Sequence, residues 1–315
     1  MYVLNIIFNI LTSGLPCCLL AIGIFLTFRV LDFADLTAEG SFLLGAALTA
    51  ACIYNGMNPF LATLLGMIVG SACGIVTGFL NRVLKIPKLL SGIITLTASA
   101  SIAMLIMGIT SPTQIFAMQV PLSLNAGHQT IYSIFYPGNQ WNKLVETIVM
   151  VVVVVIVIVA VYYFFGTEYG MAIRATGMNE KMARSQGINT TGATITCIAI
   201  SNGLIGLAGA LYVQDALSVS TVSATGYLVI GLASILIGEA IFGKRSFKNW
   251  LISVALGAIL YFMIITIAIR LGFPTELKSL LYAILIAIAL CIPLMKSGIQ
   301  SLIKNIKARK EKAAC

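Results

Sequence analysis

Apolar residues run through this 315-residue chain in blocks long enough to cross a membrane, and polar positions collect between them. Apolar stretches fall at residues 4–28, 42–54, 60–80, 89–108, 144–165, 193–211, 228–242, 250–269 and 279–295. Several reach the run of about 18 residues that predicts a membrane-spanning helix. The 42–54 block would be only about 20 Å long as a helix, against a hydrocarbon core of about 30 Å. The polar stretch before it therefore either completes the span or precedes a half-helix that starts inside the membrane, capped by Asp35 or Thr37. We favour the second, re-entrant form, which puts the N-terminus on the cytoplasmic side. Residues 55–59 are a turn, 110–142 a long external segment, and 214–227 an external or re-entrant one.

Two polar interruptions break the pattern. Residues 165–192, FGTEYGMAIRATGMNEKMARSQGINTTG, hold five charges (Glu168, Arg174, Glu180, Lys181, Arg184) directly after a Val/Ile run at 148–161. They predict a short amphipathic helix at the cytoplasmic surface, with Gly177 and Gly187 marking its ends. Residues 29–41 hold Asp32, Asp35 and Glu39, three of the ten acidic residues. If helical, these carboxylates share one face.

Composition narrows the class. The chain is 59% hydrophobic and 9% charged, with a mean hydropathy of +1.03, which excludes a soluble enzyme. The net charge of +9 does not form a stripe on a soluble domain, so nucleic acid is not a partner. From Pro59 onward, Lys and Arg gather instead at 82–88, in the 165–192 loop, at 244–248 and in the 296–315 tail, with only Lys143, Arg270 and Lys278 on the other side. That alternation satisfies the positive-inside rule. The basic tail suits contact with membrane lipid. The N-terminus has no basic n-region and reads as a retained membrane segment. The seven cysteines lie mostly in apolar runs and read as small interface hydrophobes.

Other features concern packing. Gly66, Gly70, Gly74 and Gly78 form a ridge that admits a second helix closely. Ser91, Thr95 and Ser99 form a polar stripe that suits a helix–helix seam or a solute path equally. Residues 35–47 faintly resemble 221–233, with a polar cluster, then a glycine (Gly40, Gly226), and another glycine five positions on (Gly45, Gly231). Such repeats can place broken helices around a substrate path.

Catalytic motifs are wanting. Residues 238–244 match GxxxxGK, but Arg245 stands where a nucleotide loop needs Ser or Thr, and the stretch ends an apolar helix. His128 is the single histidine, so no His-based metal set is expected. The 189–191 sequon lies on the cytoplasmic side. No nucleophile–base set for an intramembrane enzyme is recognisable. The carboxylates at 32–39 have two readings: they line or gate a permeation path and meet a substrate amino group, or they pair with Arg29 at the interface and cap the next helix.

Three stretches carry a family resemblance. Residues 27–45 (TFRVLDFADLTAEGSFLLG), 174–189 (RATGMNEKMARSQGIN) and 226–240 (GYLVIGLASILIGEA) resemble the permeases of branched-chain amino acid/ribose-type ABC importers. The chain is most similar to those of operons proposed to import tryptophan or other aromatic amino acids. The likeness covers most of the chain. It implies an all-α polytopic membrane protein, a type II-like importer transmembrane domain with about 8–10 membrane segments, some broken or re-entrant. A single permease domain would occupy residues 1–295, followed by the basic tail.

The resemblance further implies two cytoplasmic ABC ATPase subunits, a second permease copy forming a homodimer, and an extracellular substrate-binding protein. ATP and magnesium would be held by the ATPases, with no cofactor or metal and no catalysis on this chain. The ATPase-coupling residues would be Arg174, Gly177, Met178, Asn179, Glu180, Met182, Arg184 and Gly187, although no Glu-Ala-Ala triplet precedes Gly177. The substrate path would use Asp32, Asp35, Thr37, Glu39, Ser41, Thr225 and Tyr227. The expected role is the permease subunit of an amino-acid importer in a bacterial cell membrane. The competing reading is an ion- or proton-coupled secondary transporter using Asp32, Asp35 or Glu39, which has no need of the charged loop.

Overall fold

A computed structural model describes residues 2–110, 119–121, 129–135, 142–221, 226–272, 280–281, 283–284 and 287. His128, Thr225 and the 296–315 tail lie outside the described residues, as does most of the 279–295 stretch. The elements are α1 (Tyr2–Phe25) with a π-turn (Leu26–Val30), α2 (Thr37–Tyr54), α3 (Pro59–Arg82), α4 (Lys88–Thr110), β1 (Gln119–Pro121), α5 (Ile131–Phe135), α6 (Asn142–Gly166), α7 (Glu168–Met178), α8 (Glu180–Ser185), α9 (Thr190–Ala216), β2 (Ser218–Ser220), α10 (Tyr227–Phe242) and α11 (Phe247–Arg270). Among the described residues seven helices are long and apolar enough to cross a membrane, and α10 is a shorter apolar helix. The protein is an all-α, multi-pass membrane protein, with the basic turns gathered at one end, the cytoplasmic end by charge.

Helix α9 is the centre of the bundle, and α1, α2 and α3 all pack on it. The predicted glycine ridge of α3 is what meets it. A β-carbon at Gly206 would lie 2.5 Å from the Gly66 carbonyl oxygen and 3.0 Å from the Gly70 Cα, and one at Gly45 would lie 2.6 Å from the Gly206 oxygen. Three backbones therefore meet where no side chain fits, a packing by close approach that suits a membrane interior. The stripe Ser91, Thr95 and Ser99 is buried. Each hydroxyl donates to a carbonyl of its own helix, at Lys88, Ser91 and Leu96, and the stripe's Ser99 lies against Gly40 of α2. It is a packing seam. Helix α6, by contrast, shows most of its Val/Ile surface to the outside, as a lipid-facing helix does.

The acidic stretch is a turn at the cytoplasmic end. Gly14 faces Phe262, Cys18 donates to the Ala255 carbonyl and Gly23 faces Ile205, so α1 runs antiparallel to α9 and α11 and descends toward the basic end. The chain then reverses, and α2 climbs parallel to α9, pairing Ser41 with Asn202 and Gly45 with Gly206. This corrects the re-entrant reading: α1 begins at the end opposite the charged loop. Thr37 to Ser41 belong to α2, whose 18 residues reach about 27 Å, so the polar stretch completes the span. Nor do the three carboxylates share a helical face. Asp32 adopts φ +51, and residues 33–36 are irregular.

At the opposite end β1 pairs antiparallel with β2, Val120 facing Val219. Gly226, with φ +92, opens α10 against Glu39 of α2. Helix α10 descends from Tyr227 to Phe242, about 24 Å.

Candidate functional site

The cytoplasmic end carries a rigid two-helix projection. Thr167 caps α7 by accepting the Gly170 N–H at 3.2 Å, and Ile173 and Thr176 bury one face. The Arg174 guanidinium lies 4.8 Å over the Phe247 ring, joining α7 to the start of α11. Gly177 rests directly on the Val30 and Leu31 backbone. A single helix was expected over this loop; the structure breaks it at Asn179. That residue is extended (φ −158, ψ 100), and its side chain accepts the Met182 N–H at 3.1 Å to start α8. Gly187, at φ +80, ends α8, and Asn189 caps α9 through the Gly192 N–H.

Charges fix this projection to the bundle. Arg82, at the end of α3, donates to Glu180 at 2.6 Å, and Arg184 reaches the same carboxylate and the Thr190 hydroxyl, each at 3.2 Å. Glu180 and Arg184 are therefore engaged within the chain. Met178 and Met182, one turn apart in sequence, are left 88% and 63% exposed. The eight coupling residues expected from sequence thus form one continuous strip. Arg174, Gly177, Asn179, Glu180, Arg184 and Gly187 seat or shape it, and the two methionines protrude.

Beside it lies a polar contact that the sequence reading missed. Arg29 pairs with Glu239 of α10 at 2.6 Å, and the Trp250 indole N–H donates to the other oxygen at 2.8 Å. Of the two readings of the acidic stretch, the one that pairs it with Arg29 does not hold. The partner of Arg29 is 210 positions away, and the signal that could have found it was a glutamate inside an apolar helix.

The expected path residues divide into two groups. Asp35 is buried, accepting the Thr37 N–H at 2.9 Å and the Asn202 amide at 2.6 Å. Asn202 in turn accepts from Ser41 at 2.7 Å, and Thr37 shares a 2.7 Å hydrogen bond with Thr77. These groups lock α2 to α3 and α9. Asn202 was not anticipated, although a lone Asn within an apolar span is itself a signal. Asp32 lies at the cytoplasmic surface, its carbonyl accepting from Lys88 at 2.8 Å. Glu39 is half-exposed and borders a cavity beside α4. Tyr227 stacks on Phe42 at 4.2 Å and meets Tyr212 edge-on. The GxxxxGK stretch occupies the last turns of α10, with Gly238 packed on Ser253. It is a helix end rather than a strand-to-helix phosphate loop.

Comparison with known proteins follows the same outline. The family described as branched-chain amino acid transport system, permease component, matches residues 6–290. A tyrosine transport system permease protein of Clostridioides difficile is 33% identical, over 97% of this chain and 98% of its own length. The galactofuranose transporter permease protein of Escherichia coli is 26% identical over 96% of this chain and 82% of its own length. A nucleoside ABC transporter permease protein of Lactococcus lactis is 25% identical over 74% and 75%. No solved structure gives a significant match.

Proposed function

The chain belongs to the branched-chain amino acid transport system permease family, and from that premise we propose that it is the membrane subunit of an ATP-driven importer of amino acids. The observation that carries the mechanism is the pair of bare methionines on a firmly seated helix pair at the basic end. A large apolar side chain that is neither in the core nor in the lipid zone marks a partner surface. Methionine adapts to a groove. The fitting partner is a cytoplasmic ATPase subunit, one for each of two permease copies, with ATP and magnesium held there.

Geometry supports a route for motion. Force on Met178 and Met182 passes through Gly177 to the α1–α2 turn, through Arg174 to α11, through Glu180 to α3, and through Asn189 to α9. Rigid-body movement of those helices would alternate access. Tyrosine, in the name of the 33% identical relative, favours an amino acid, delivered by an extracellular binding protein. Of the three carboxylates an ion-coupled carrier would use, Asp35 is a packing anchor and Asp32 lies at the surface, which leaves that alternative Glu39 alone.

Co-purification tests the reading. The tagged chain, expressed with its neighbouring genes, retains an ATPase through gentle detergent. Met178→Asp with Met182→Asp releases it, while Tyr163→Asn, a lipid-side change, does not. Absence of any ATPase from the wild-type preparation would sink the proposal.

A further inference from the structure

A cavity of about 220 Å³ opens between α2 and α4, beside Thr221. Leu43, Leu96, Ala100 and Met104 give it apolar walls, and Thr221 and Glu39 supply its polar side chains. Glu39 Oε1 accepts the Gly226 N–H at 3.0 Å. That donor is neutral. Among the described residues the ion pairs use Glu180 and Glu239, and no Lys or Arg pairs with Glu39.

A carboxylate beside apolar walls loses hydration, and one amide hydrogen bond replaces only part of it. An ammonium group would supply the missing positive charge and up to three donors. We infer that Glu39 receives the ammonium group of the transported molecule, an inference that rests on the amino-acid reading above. The cavity is smaller than the roughly 300–1,000 Å³ of pockets that enclose whole ligands. It therefore holds the amino-acid head, with the remainder of the molecule outside it. A sugar or a nucleoside brings no such cation, so Glu39 also sets the substrate class.

Glutamine separates the charge from the scaffold. Glu39→Gln keeps an oxygen for the Gly226 amide and removes only the negative charge. Proteoliposomes carrying the complete transporter are assayed for uptake of labelled L-amino acids, with L-tyrosine first, and of fructose and uridine. The expected result is amino-acid uptake by the wild type and a maximal rate lowered roughly tenfold or more by Glu39→Gln, as loss of a charged hydrogen bond implies. The half-saturating concentration, set by the binding protein, stays unchanged. Amino-acid uptake by Glu39→Gln at the wild-type rate overturns the inference and leaves the proposed function standing. Wild-type uptake of fructose or uridine but of no amino acid overturns both.

A second measurement needs no change at Glu39. Met104→Cys places a thiol on the cavity wall, and its maleimide labelling is followed by mass spectrometry. The transported amino acid slows labelling, and its deaminated analogue (for tyrosine, 3-(4-hydroxyphenyl)propionate) does not. Equal protection by both, or by neither, also overturns the inference.

Discussion

Adding one methyl group at Gly177 should weaken the protein, against the ordinary preference of helices. Gly177 occupies the last turn of α7, and a β-carbon there would press on the Val30 carbonyl oxygen and lie 2.9 Å from the Leu31 Cα. Helix propensity alone favours alanine over glycine by about 1 kcal/mol. The opposing contact is with backbone, which cannot rotate aside as a side chain would, and overpacking of this kind costs about 1–3 kcal/mol. The steric term is the larger, so Gly177→Ala loses up to about 2 kcal/mol. That lowers the melting temperature by several degrees, at roughly 2–4 °C per kcal/mol. Gly166→Ala is the control, because a β-carbon there meets nothing within 4 Å. The assay is fluorescence-detected thermal unfolding in detergent, with amino-acid uptake measured in parallel. Uptake falls in Gly177→Ala and holds in Gly166→Ala. A Gly177→Ala protein that melts at or above the wild-type temperature would refute the close seating of α7 on the α1–α2 turn.

Two further substitutions test the polar anchors. Glu239→Ala leaves Arg29 without its carboxylate and the Trp250 N–H without its acceptor. With the pair partly exposed, the expected loss is about 1–3 kcal/mol. Melting curves of Glu239→Ala and Glu239→Gln check it, the glutamine variant falling between alanine and wild type. Asn202→Leu removes the partner of both Asp35 and Ser41 and should cost about 2–4 kcal/mol, as two buried polar groups lose hydrogen bonds. Its yield of monodisperse protein by size-exclusion chromatography falls sharply, and an unchanged profile would refute the assigned network.

Much of the scaffold was legible because a bilayer imposes one-dimensional rules. Apolar length marked the spans, basic residues marked their cytoplasmic ends, and the spacing of Gly66 to Gly78 marked a close helix contact. The caps at Thr167, Asn179 and Asn189 are local, yet the break at Asn179 escaped notice because Gly177 offered a more obvious punctuation mark. Contacts between distant segments were out of reach. Nothing near Arg29 points to Glu239, and nothing near Glu39 points to the Gly226 amide. The direction of α1 failed for the same reason. A short apolar run suits both a half-helix and a full helix with polar first turns, and the Thr37–Thr77 and Ser41–Asn202 contacts decide between them. Within the charged loop, sequence marked the 174–187 stretch but could not tell Glu180 and Arg184, which are paired within the chain, from the two exposed methionines.

The placement of α9 at the centre has a consequence for how the protein is made. Asp35 and its partner Asn202 are 167 positions apart in the chain. At about 5–20 residues per second, a ribosome needs roughly 8 to 33 seconds to travel that distance. Most of that interval remains once α3 is complete, and for that time the carboxylate and the glycine ridge lack their α9 partners. The insertion machinery, or the lipid around it, must shelter an incomplete groove until the helix that fills it arrives. Biogenesis of this permease therefore hinges on a late-arriving keystone, and ribosome stalling between α3 and α9 would expose the nascent chain to quality-control proteolysis.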